Sequence, residues 1–128
     1  MVCKVAAMAS NASIALLLED EPLISMDLEL TLGTAGFDVH MFMSCGEALD
    51  WLQMFRPDVV IVDIELRDGS SLAVVERLIE DGIPFIVHSG DHPSMHTDTA
   101  FAHGRWMSKP APPDELVATA RAVMAFRT

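Results

Sequence analysis

The sequence predicts an α/β domain built on a doubly wound, five-stranded parallel sheet, and two observations carry that prediction. Five short apolar runs, at 14–18, 37–41, 58–62, 84–88 and 105–108, alternate with amphipathic stretches at 22–34, 45–55, 71–81, 94–103 and 114–126. Strands joined by crossover helices produce this alternation. The runs are also nearly continuous, as in Val59-Val60-Ile61-Val62, which suits strands covered by helices on both faces. At 128 residues the chain fits one domain with a proper core, and no separate output domain is expected within it.

Each element has its own local signals. The first run, Ile14 to Leu18, passes directly into Glu19-Asp20-Glu21, and Pro22 suits the first turn of the helix that follows. Gly36 marks its end. Ser44-Cys45-Gly46-Glu47 reads as a capping box ahead of Ala48, Leu49, Trp51 and Leu52, with Ser and Glu side chains satisfying free amides. The third run ends in Asp63, and Asp81-Gly82 closes the third helix before Pro84. The stretch 94–103 is the weakest helix, because it is polar, follows Pro93 and lacks an apolar stripe. In the first helix Ile24, Leu28, Thr31 and Leu32 share one face, yet Leu23, Met26 and Leu30 form a second stripe nearly opposite. Either loops or the amino-terminal residues cover that second stripe, or it is a docking patch for a partner.

Composition narrows the function. The net charge of -11, with only 8 Lys and Arg, argues against a nucleic-acid surface, which needs clustered basic residues. Residues 1–13 read as a loosely ordered tail: Val5 to Ala9 is too short for a signal peptide's apolar region, and no run approaches the roughly 20 residues of a membrane span. Cys3 and Cys45 suggest neither a disulfide framework nor a metal spacing, so a reducing cytoplasm is expected. His40, His88, His92, His96 and His103 show no zinc-ligand pattern.

The chemistry gathers where strands end. In open α/β sheets, ligands bind beyond the carboxyl ends of the strands. If the first and third strands are parallel neighbours, Glu19, Asp20 and Asp63 meet there. An all-oxygen set of few protein donors suits Mg²⁺, and a carboxylate beside such an ion can serve as a nucleophile toward a phosphoryl group. Each acid taken singly could instead cap the following helix. Ser89-Gly90 after the fourth run offers a hydroxyl and a small neighbour, and Lys109-Pro110 after the fifth offers a counter-charge for phosphate. A solvated loop lysine is the plainer alternative.

Across residues 14 to 126 the chain resembles a response regulator receiver domain, the phosphoryl-accepting half of two-component signalling. The likeness lies in Leu16 to Pro22 as the acidic first loop, and in Pro57 to Leu66 with Asp68-Gly69 as the phosphoacceptor strand and loop. It extends to Ser89-Gly90 as the switch hydroxyl and its neighbour, Trp106 at the switch-aromatic position, and Lys109-Pro110. The resemblance implies a flavodoxin-like receiver fold over 14–128 with strand order 2-1-3-4-5. It further implies that Asp63 is phosphorylated by a histidine kinase or histidine phosphotransfer protein. Asp20, Asp63, Glu19 through water and the carbonyl of Glu65 would hold Mg²⁺, Ser89 and Lys109 would bind phosphoryl oxygens, and the Lys109-Pro110 bond would be cis.

Some features depart from the family pattern. The loop between Gly104 and Lys109 is shorter by about two residues, and Trp106 stands where Tyr or Phe is usual. Glu65 and Asp91, each two residues past a key position, could reach the mouth of the site and alter the lifetime of an aspartyl phosphate. The expected function is a stand-alone receiver that signals by protein binding or phosphorelay, catalysing its own phosphorylation and dephosphorylation without acting as a multiple-turnover metabolic enzyme. The alternatives are a Mg²⁺-dependent phosphohydrolase and a phosphorylation-independent interaction module using Leu23, Met26 and Leu30.

Overall fold

The computed structural model describes residues 12–97 and 99–125. The expected amino-terminal tail therefore falls almost wholly outside the described residues. In chain order the elements are β1 (Ile14–Leu18), α1 (Pro22–Thr34), β2 (Asp38–Phe42), α2 (Cys45–Met54), β3 (Val59–Val62), α3 (Leu72–Glu80), β4 (Phe85–Ser89), β5 (Arg105–Ser108) and α4 (Pro113–Ala125). The strands form one parallel sheet in the order β2-β1-β3-β4-β5. This is the expected doubly wound arrangement, with element ends within a residue of those read from sequence.

Alternation along each strand divides the core in two. Leu16, Leu18, Val60, Val62 and Val87 point to the side covered by Ala48 and Leu52 of α2 and Val74, Val75 and Leu78 of α3. Ala15, Leu17, Val59, Ile61 and Ile86 point to the side covered by Leu28 and Leu32 of α1 and Leu116 and Ala120 of α4. Both faces of the central strands β1 and β3 being buried, these strands need no polar positions, which is why they read as unbroken apolar runs. Each fully buried Leu or Ile contributes about 1.5 to 3 kcal/mol relative to exposure.

Helix ends follow their chemistry closely. Pro22 occupies the first turn of α1, and Gly36 just beyond it has φ +99°, a conformation that favours glycine. Ser44 Oγ accepts from the Glu47 amide at 3.2 Å, but the reciprocal half of the capping box is absent, because the Ser44 hydroxyl donates to Glu47 Oε1 at 3.0 Å. A residue distant in sequence completes this end: Asp68 accepts from the amides of Cys45 at 2.8 Å and Gly46 at 3.1 Å. Those two bonds hold the Asp68 carboxyl below the usual carboxylate range.

Two features differ from the sequence reading, and a third settles an alternative it left open. The stretch 94–103 is not an α-helix; it forms two 3-10 turns, Pro93–His96 and Ala100–His103. With no apolar stripe to bury, the segment gains little from a continuous helix, and among its described residues Phe101 alone is buried. A small antiparallel hairpin, Glu65–Leu66 with Gly69–Ser70, was not anticipated; Gly69 turns it at φ +122°. The second stripe of α1 stays open, with Leu23 83%, Met26 61% and Leu30 70% exposed.

Candidate active site

Strand register brings the key residues to one edge. Leu18 lies opposite both Phe42 and Val62, and Ser89 lies opposite Ser108, so Glu19, Asp63 and Lys109 emerge together at the carboxyl ends of their strands. One carboxylate oxygen from each of Glu19, Asp20 and Asp63 lies within 4.8 Å of the others. The buried Glu19 places Oε1 2.9 Å from Lys109 Nζ and accepts the Glu21 amide on Oε2 at 3.2 Å. Asp63 Oδ2 lies 2.8 Å from the same ammonium, while its Oδ1 accepts the Ile64 amide at 2.8 Å. The Asp63 carboxylate is thus fixed at both oxygens.

These contacts set the charges. Burial pushes the Glu19 carboxyl above its usual range, opposed by the Lys109 hydrogen bond and the Glu21 amide, and the charge of Asp63 adds to the rise. Burial works against the Lys109 ammonium, but its hydrogen bonds to Asp63 and Glu19, with the charges of both, outweigh it and hold the pKa above the ordinary lysine value. Lys109 is therefore favoured as a cation between two acids. Its own amide donates to the Ser89 carbonyl at 2.9 Å, and the Lys109-Pro110 bond is cis, as the resemblance implied.

The remaining candidates occupy distinct surroundings. Ser89 is buried and its hydroxyl accepts the Asp91 amide at 3.0 Å. Asp91 Oδ2 reaches His96 Nε2 at 3.0 Å. Trp106, half-buried on β5 opposite Val87, packs on the α2–α3 side of the core, and His96 stacks on it with centroids 5.6 Å apart. Glu65 is exposed in the small hairpin. Leu23 borders a hollow of about 400 Å³ that also meets Leu28, His88 and Pro110.

Several contributors escaped the sequence reading. Buried Ser71 donates its hydroxyl to the Asp63 carbonyl at 2.6 Å, fixing the backbone behind the carboxylate. His88 is buried, its ring nitrogens have no partner among the described residues, and burial, reinforced by the Lys109 charge, pulls its pKa down to about 4. A histidine inside a parallel strand, next to a serine, was the one signal available. The Cys45 thiol is pushed up to about 11 by burial and then by Asp68, which disfavours its thiolate.

A parallel sheet of this order, with a carboxylate trio and a lysine at its carboxyl edge, defines the receiver class of flavodoxin-like domains. The family model "Response regulator receiver domain" matches residues 15–121, and the chain belongs to that family. Among curated proteins it is 31% identical over 116 residues to the cell cycle transcriptional regulator CtrA of Caulobacter vibrioides, covering 85% of this chain and 49% of that one. It is 28% identical over 110 residues to the DNA-binding response regulator MtrA of Mycolicibacterium smegmatis, covering 84% and 48%. The chain spans about half the length of these relatives. Among solved structures, a response regulator receiver protein from Sinorhizobium medicae WSM419 superimposes with TM-score 0.82 at 25% identity, covering 91% of this chain and 98% of that one. No helix among the described residues is long and apolar enough to cross a membrane.

Proposed function

We propose that Asp63 accepts a phosphoryl group from the phosphohistidine of a histidine kinase or histidine phosphotransfer protein, and that residues 14–128 act as a single receiver unit in the cytoplasm. The observation that carries this reading is the Lys109 bridge between Glu19 and Asp63 at the strand ends. It pre-positions a cation beside the carboxylate that must meet an anionic donor.

The donor set fits Mg²⁺, since the three clustered carboxylates supply only oxygens. Asp20, Asp63 and the Glu65 carbonyl would hold it directly, with Glu19 through water. Bound there, the ion offsets repulsion between carboxylate and phosphoryl oxygens. The Asp63 oxygen bonds to phosphorus as the phosphorus–nitrogen bond to the donor imidazole breaks, and the imidazole departs with that electron pair. Lys109 then trades carboxylate partners for phosphoryl oxygens, and Ser89 turns its hydroxyl to the same group. Trp106 follows as the switch aromatic, a population shift driven by the new contacts.

The output is altered protein binding or onward relay, with Leu23, Met26 and Leu30 as the docking patch. Glu65 and Asp91 tune the lifetime of the aspartyl phosphate by misplacing the attacking water. Radiolabelled acetyl phosphate with Mg²⁺ is expected to label the wild type and to leave Asp63→Asn unlabelled. Equal labelling of that variant would sink the reading, and sustained turnover of small phosphate esters would favour a phosphohydrolase instead.

A further inference from the structure

Among its described residues the segment between β4 and β5 forms no α-helix, and several of its contacts meet at His96. The His96 carbonyl accepts from the Thr99 amide at 3.2 Å and the Thr99 hydroxyl at 2.9 Å. Its ring lies edge-on to buried Phe101 at 5.7 Å, stacks on Trp106 at 5.6 Å with 25° between planes, and meets Asp91 Oδ2 at 3.0 Å. Asp91 in turn uses its amide to occupy the Ser89 hydroxyl at 3.0 Å. A continuous path of contacts therefore runs from the switch hydroxyl to the switch aromatic, and His96 is its central member.

We propose that His96 is a positioning residue: it latches the Ser89–Asp91 turn to Trp106 in the unphosphorylated protein and so opposes the movement of Ser89 toward a phosphoryl group. The proposal rests on Asp63 being the phosphoryl acceptor. Its physical basis is differential binding. On this proposal the latch contacts hold while the Asp91 amide sits on Ser89 and part when the serine turns, so that they favour one state and their free energy is subtracted from the affinity for a phosphoryl group. The Asp91 carboxylate is 47% exposed and the His96 side chain 18% exposed, so the pair is partly screened and its effect is modest.

The test uses the full chain with Trp51→Phe, which leaves Trp106 as the single tryptophan, and beryllofluoride with Mg²⁺ as the phosphoryl mimic, titrated by fluorescence. His96→Phe keeps a ring against Trp106 and loses the bond to Asp91; Asp91→Ala removes the acceptor from the other side. Each is expected to bind the mimic about two- to five-fold more tightly, the range a partly exposed side-chain hydrogen bond confers. The double variant should bind no more tightly than either single one, since both cut the same link.

A residue with only a structural role would weaken or leave unchanged the affinity on removal, so unchanged or weaker binding in His96→Phe, or additive gains in the double variant, overturns the latch. Labelling of the same proteins with acetyl phosphate separates the two readings. A labelled wild type with unaltered variants defeats the latch alone, whereas an unlabelled wild type that also fails to bind the mimic defeats the phosphoacceptor reading and the latch with it.

Discussion

On the β1–β3 side of the pocket, Glu19 and Asp63 are held to one lysine at 2.9 and 2.8 Å, and the backbone behind Asp63 is pinned by Ser71. On the β4–β5 side, Ser89 is linked to Trp106 through Asp91 and His96, across two 3-10 turns that bury a single residue. The first side is built from charges short of water, where removing one partner strands another. The second is built from partly exposed polar contacts and ring stacking, each weak enough to exchange. A receiver needs both: a fixed site for the chemistry and a surface that can be rearranged by the modest free energy of one new phosphoryl contact.

The sharpest way to break the fixed side is Lys109→Met. It leaves buried Glu19 beside Asp63 with no counter-charge, and a loss of about 2 to 4 kcal/mol in urea unfolding is expected, below the fully buried range because the lysine is partly exposed. Adding Mg²⁺ should restore more stability to this variant than to the wild type. If it does not, the three carboxylates do not act as one cation site.

Gly104→Ala probes the other side. A Cβ there would lie 2.3 Å from the ring of buried Phe85, so the chain must shift at a cost of about 1 to 3 kcal/mol. Combining it with Phe85→Leu should cost less than the sum of the two, as measured by unfolding midpoints. Strict additivity would show that the path of the shortened loop is set by something other than this ring.

The two sides meet at β4. His88 neighbours Ser89 in β4 and feels the Lys109 charge, and its folded pKa of about 4 lies below the ordinary 6.5. As pH falls below 6.5 the unfolded chain takes up this proton first, so the contribution to stability present above that pH is lost progressively toward pH 4. About 2 kcal/mol should disappear between pH 7 and pH 5 on this account. His88→Met should show a correspondingly smaller loss over that interval; identical pH profiles would mean that the ring finds a partner when protonated.

The same division explains what could be read in advance. The Leu16 to Leu18 and Val59 to Val62 runs fix strands by hydrophobic pattern alone, and the acids that follow them are placed by sheet topology, so Glu19, Asp20 and Asp63 were legible together. Lys109 was legible for the same reason. The 94–103 segment was not, because its turns depend on His96 meeting Asp91 and Trp106, contacts that leave no period in the sequence. Nor was the Asp68 cap of α2, which joins residues separated by 23 positions. Local signals reveal elements whose partners are solvent or the core as a whole; they are silent where one particular side chain decides the conformation.

The hydrogen bond from the Lys109 amide to the Ser89 carbonyl bears on how far the serine can travel. Ser89 also sits in the β4–β5 ladder opposite Ser108, so its main chain is anchored at the last rung. What is left to the side chain is a hop between staggered χ1 wells. If Ser89 switches as proposed, its throw is torsional and short, complete without slippage of either strand, and any larger displacement is taken up beyond Gly90, in the turns that carry His96.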